Sequence, residues 1–63
     1  MKYVIVTNDL GKPLYYCLHE EQSGFTLSSD ISKAQVYSSK KEAEIQAQRL
    51  SEVSGMKTEV KPR

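Results

Sequence analysis

An α+β fold, one twisted and mostly antiparallel sheet with a single helix packed on one face, is what this 63-residue chain predicts. Three observations carry the prediction. The first half is a series of short β-branched and aromatic runs separated by turn residues. The second half contains one well-capped segment of helical period. The last residues alternate strictly between apolar and charged side chains. The predicted order is β-β-β-(short β)-α-β in one domain spanning residues 1–63, a length that leaves no room for a second.

Tyr3-Val4-Ile5-Val6-Thr7 is continuous in β-formers, the composition of a strand covered on both faces. Asn8-Asp9-Leu10-Gly11-Lys12 supplies a turn, with Gly11 free to take positive φ. Leu14-Tyr15-Tyr16-Cys17-Leu18 follows as the antiparallel partner, with Pro13 at its mouth, where a missing N–H is harmless. His19 to Gly24 forms the next connection. Phe25-Thr26-Leu27 is a short third strand that puts Phe25 and Leu27 on one face. Ser28 to Lys33 reads as a single helical or 3₁₀ turn capped by Ser29 or Asp30, and Ala34-Gln35-Val36-Tyr37 as a short fourth strand.

The helix is predicted over Lys40 to Val53. Ser39-Lys40-Lys41-Glu42 has the capping-box spacing, in which the Ser39 hydroxyl accepts from the Glu42 N–H. Ala43, Ala47, Leu50 and Ser54 recur at helical spacing on one face, and the two alanines let the helix sit close to the sheet. Gly55 stands where a left-handed C-cap is needed. Met56-Lys57-Thr58-Glu59-Val60-Lys61 then alternates as a last, half-buried strand. Its lysines and Pro62 protect an edge from pairing with another chain. The connection from Ala34–Tyr37 through the helix is long enough for a parallel crossover to this strand.

Function is bounded mainly by exclusion. Cys17 is the only cysteine, so no intrachain disulfide forms, and a lone thiol fits a reducing compartment, the cytoplasm. Within its apolar strand it behaves as a small hydrophobe. No apolar run is long enough to cross a bilayer. The nucleotide, metalloprotease, redox and nucleophile-elbow signatures are all missing. His19, the single histidine, is flanked by Glu20 and Glu21, but neighbours on a strand end point to opposite faces and do not converge. The chain is therefore read as a non-enzyme without a cofactor or metal.

Nine basic residues face eight acidic ones, a net charge of +1, and the isoelectric point is 7.8. The distribution is uneven: residues 1–31 hold two lysines against four carboxylates, and residues 32–63 hold seven basic groups against four. The basic C-terminal half motivates an alternative reading as a nucleic-acid-binding accessory protein. That reading is the weaker one, because basic and acidic residues interleave and the isoelectric point is below that of a phosphate-binding stripe.

The four tyrosines suggest protein contact instead, since tyrosine is enriched in interface cores. Tyr15 and Tyr16 are adjacent on one strand, so one faces away from the helix if the other faces in. The expected contact surface is the helix-free sheet face, with Tyr15, Tyr16 and Tyr3 as its residues. Ile45, opposite the buried helix stripe, is a further candidate. The partner is an unknown protein or a second copy, because a core this small gains from association.

The segment Lys33-Ala34-Gln35-Val36-Tyr37-Ser38-Ser39-Lys40-Lys41-Glu42-Ala43 resembles small proteins encoded by phages and prophages of Gram-positive bacteria. They share an N-terminal hairpin, an Ala-x-Val-aromatic strand, a Ser-capped helix beginning x-x-Glu-Ala and a last strand after Gly. The resemblance implies a cytoplasmic accessory protein and transfers no catalytic or ligand residues.

Overall fold

The computed structural model describes residues 1–19 and 24–63; the side chain of His19 and residues 20–23, with Glu20 and Glu21, lie outside what is described. Strand β1 (Tyr3–Thr7) runs inside a sheet of order β3-β2-β1-β4, with β2 at Leu14–His19, β3 at Gly24–Ser28 and β4 at Glu59–Pro62. All three strand pairings are antiparallel. A 3₁₀ turn (Ile31–Lys33) and one helix, α1 (Lys40–Ser54), complete the elements.

The composition of β1 translates directly into burial: Val4, Ile5, Val6 and Thr7 are all at most 1% exposed. Ile5 faces Val60 across β4 and belongs to the core beneath the helix, with Tyr16, Ala47 and Leu50. Val4 and Val6 point the other way, as strand alternation requires. Their registry neighbours are Lys61 and Glu59 on β4 and Tyr15 on β2. Cys17 and Ala34, both buried, also stand outside the helix-side cluster, and the 3₁₀ turn before Ala34 packs on β2. The second face of the sheet is thus partly clothed by chain.

Both helix termini follow their sequence signals. Ser39 is extended, and its side chain accepts from the Glu42 N–H at 3.4 Å. Ala43, Ala47 and Leu50 are the buried residues, and Gly55 closes the helix at φ 73° while its N–H donates to the Ser51 carbonyl at 2.9 Å. The small face brings α1 close enough for Thr58 Oγ1 to donate to the Ala47 carbonyl at 2.8 Å. The 3₁₀ turn is capped by Asp30, whose carboxylate accepts from Ser32 N–H at 2.9 Å and from Ser32 Oγ at 2.7 Å.

Two expectations need correction. The short strand predicted at Ala34–Tyr37 is reduced to a single bridge between Tyr3 and Tyr37. Arg63 N–H donates to the Lys2 carbonyl, so Tyr3 turns its own groups away from β4 and exchanges both bonds with Tyr37, at 2.8 and 2.9 Å. Gln35 N–H donates to the Tyr16 carbonyl at 3.1 Å. Residues 35–37 therefore fill the gap where β2 parts from β1 beyond the Val6–Tyr15 pair. This segment and β4 are each antiparallel to β1, so they run in the same direction with β1 between them. The crossover is present, but split rather than adjacent. The last strand is also shorter than its alternation, starting at Glu59 and including Pro62. Pro62 is tolerated because it sits opposite Tyr3 on an edge strand, at a position whose N–H the ladder does not use.

Candidate functional site

The residues expected to form one contact surface are not brought together. Tyr16 is 1% exposed and faces the helix; this corrects its assignment to an open sheet face. Its ring packs on Phe25 at 5.1 Å between centroids, tilted by 54°. Its hydroxyl lies 3.0 Å from Ser54 Oγ. Ser54 Oγ gives its only proton to the Leu50 carbonyl at 2.6 Å, so Tyr16 is the donor in that pair. The residue is thereby a structural tie between β2 and the end of α1.

Tyr3 shares a face with Ile5 by alternation, so it too is on the helix side, half-buried and held by its bridge to Tyr37. Tyr15, paired with Val6 and Ser28, is half-buried and is the one candidate tyrosine on the helix-free face. Ile45 is exposed as expected, at 48%, on the outer side of α1.

Ile45 borders a recess of about 320 Å³ with Tyr37, Glu42 and Gln46. The Tyr37 hydroxyl is buried there without a hydrogen-bond partner. Burial, reinforced by the nearby Glu42 carboxylate, raises its pKa above the usual phenol value. A more open groove of about 550 Å³ lies between α1 and β4, lined by Lys40, Glu44, Ala47, Gln48, Thr58, Glu59 and Val60. Among the described residues no cluster of His, Cys, Asp and Glu could hold a metal ion. No described helix is long and apolar enough to cross a membrane.

The feature that sequence reading missed is the contrast between the two sheet edges. β4 ends the sheet on one side with Glu59, Lys61 and Pro62, and its lysine and glutamate pair at 3.9 Å on the surface. β3 ends it on the other side with Gly24-Phe25-Thr26-Leu27-Ser28, which carries no charge and no proline. The Tyr16 carbonyl points toward β1, so Tyr15 and Cys17 bond toward β3 and meet Ser28 and Thr26. By the same alternation, Phe25 and Leu27 direct their N–H and C=O groups outward from the sheet.

On the helix side, Leu18, Phe25 and Leu27 are only partly buried, because α1 lies over β1 and β4. An apolar shelf therefore adjoins an edge that carries no charge and pairs with no further strand among the described residues. Leu18 and Phe25 are cross-strand partners in it, which aligns the shelf with the edge. The signal was visible in composition, as the lack of charge in residues 24–28, but that β3 ends the sheet is a property of the whole topology. No family model, curated protein or solved structure matches the chain.

Proposed function

We propose that this chain is a non-enzymatic accessory protein that acts by contact with another protein. The contact adds an extended segment of the partner to the outer edge of β3. Main-chain bonds to Phe25 and Leu27 hold that segment, and the shelf of Leu18, Phe25 and Leu27 takes its apolar side chains. One observation carries the reading: Gly24–Ser28 has neither the charges nor the proline that natural sheets use to protect an edge, while β4 on the same sheet has both. Tyr15, on the helix-free side of the neighbouring strand, is placed to contribute at the rim of such a contact. The likeness of residues 33–43 to phage and prophage proteins, together with the lone thiol, supports an accessory role in the cytoplasm.

Affinity capture with the wild-type chain and with its Thr26→Lys variant as paired baits, followed by amide hydrogen exchange on the complex, tests the reading. A partner that is lost with the variant bait, and that slows exchange at Phe25 and Leu27, supports it. A partner retained equally by both baits, or one that protects other amides instead, refutes it.

A further inference from the structure

We infer that the strand which completes β3 is β3 of a second copy, forming a closed two-fold dimer with a continuous eight-stranded sheet. The inference rests on the edge reading above and names its occupant. Two-fold pairing sets a strand against itself, so every charge would meet its like near the axis. Gly24–Ser28 has none, and no such repulsion arises.

The register follows from the outward groups. With the axis at Thr26, Phe25 of one copy pairs with Leu27 of the other, and the reverse, in two reciprocal pairs of main-chain hydrogen bonds. The side chains agree with the backbone. Phe25 and Leu27 share the helix-side face, so each ring lies across from a leucine of the other copy, an aromatic–aliphatic cross-strand pair.

The axis stands perpendicular to the sheet, which puts both helices on one face. They do not collide, because α1 lies over β1 and β4 rather than over the edge. Between them the dimer forms a trough floored by Leu18, Phe25 and Leu27 of both copies. The opposite edge then decides the size of the assembly. Glu59, Lys61 and Pro62 on β4 block further strand addition, so the sheet closes at two copies instead of growing into a filament.

Sedimentation equilibrium of the purified chain over a hundredfold concentration range, with hydrogen exchange at both extremes, tests the inference. The expected result is a mass rising from 7.1 kDa toward twice that value, with Phe25 and Leu27 amides protected only at high concentration. Thr26 is exposed, and Thr26→Lys and Thr26→Glu each place like charges on the axis. Each variant alone should raise the dissociation constant at least about tenfold, and an equimolar mixture should restore the dimer. Melting temperatures in dilute solution verify that both variants fold.

A constant mass of 7.1 kDa overturns the inference. So does a dimer that survives both substitutions. A monomer whose Phe25 and Leu27 amides become protected only by a captured foreign protein overturns self-pairing while leaving the proposed function intact.

Discussion

The tie between Tyr16 and Ser54 yields the most discriminating test of the core. Ser54 Oγ donates to the Leu50 carbonyl at 2.6 Å and accepts from the Tyr16 hydroxyl at 3.0 Å and from Met56 N–H at 3.3 Å. One hydroxyl thus anchors β2 and the chain that leaves the helix. Tyr16→Phe removes one donor and leaves Ser54 with its other two bonds, so the expected cost is that of one hydrogen bond, about 1 kcal/mol. Ser54→Ala strands the Tyr16 hydroxyl inside a residue that is 1% exposed. Leaving a buried donor unsatisfied costs about 1–3 kcal/mol, offset by roughly 0.5 kcal/mol of better helix propensity for alanine. Once Tyr16 is Phe, Ser54→Ala no longer strands the phenol hydroxyl, and its loss of the Met56 N–H bond is the same in both backgrounds, so the double variant should be more stable than the sum of the singles predicts. The coupling should be about 1 kcal/mol. Total stability for a chain of this size is only about 3–9 kcal/mol, so urea midpoints resolve each step. Additivity within about 0.3 kcal/mol would show that the two side chains act independently and would refute the tie.

Three further predictions follow from single contacts. Ser39→Ala should cost about 1 kcal/mol by removing the helix cap, and Leu50→Ala about 2–5 kcal/mol by opening the core; urea midpoints ranking these in reverse would contradict the buried face seen here. Tyr37→Phe should stabilise the protein by about 1 kcal/mol, because it deletes a buried hydroxyl that has no partner. Its raised pKa keeps the folded phenol neutral, so that residue's contribution is complete below the ordinary tyrosine value of 10.0 and lost as pH rises through the folded value. Thermal melts of both proteins across alkaline pH should therefore diverge as pH increases. Asp30 has the opposite sign: hydrogen bonds from the Ser32 side chain and backbone lower its pKa, so its contribution is present above the ordinary carboxylate value and lost as pH falls through the folded one. Carboxyl NMR titration should place Asp30 below the usual range, and Ser32→Ala should move it upward.

What could be read from sequence divides along the range of the interactions. The helix was legible in its start, buried face and stop, because Ser39, the Ala43-Ala47-Leu50 stripe and Gly55 act within a few residues of one another. The burial of β1 on both faces was legible for the same reason, as a run with no polar break. The fate of residues 34–37 was not. Ala-x-Val-Tyr has the composition of a strand, but whether it forms one depends on where β2 leaves β1, a consequence of contacts made elsewhere. The orientation of Tyr15 and Tyr16 was open in the same way. Adjacency shows that they part company, and only the position of α1 shows that Tyr16 is the one beneath it.

The edges follow a similar logic with a functional consequence. Lys61 and Pro62 could be recognised as protection from sequence, because charge and proline are positive signals, whereas Lys57 lies before the strand begins. An unprotected edge is the lack of a signal, and Gly24–Ser28 would be ordinary inside a sheet. Its meaning comes from the order β3-β2-β1-β4, which leaves that neutral strand outermost. Partly buried Leu18, Phe25 and Leu27 beside it then gain their significance from a helix centred over β1 and β4, which reaches β2 at Tyr16. A single helix of this length cannot cover four strands. The partly buried shelf and the outermost strand coincide at β3, so one strand added there would extend the sheet and cover the shelf at once.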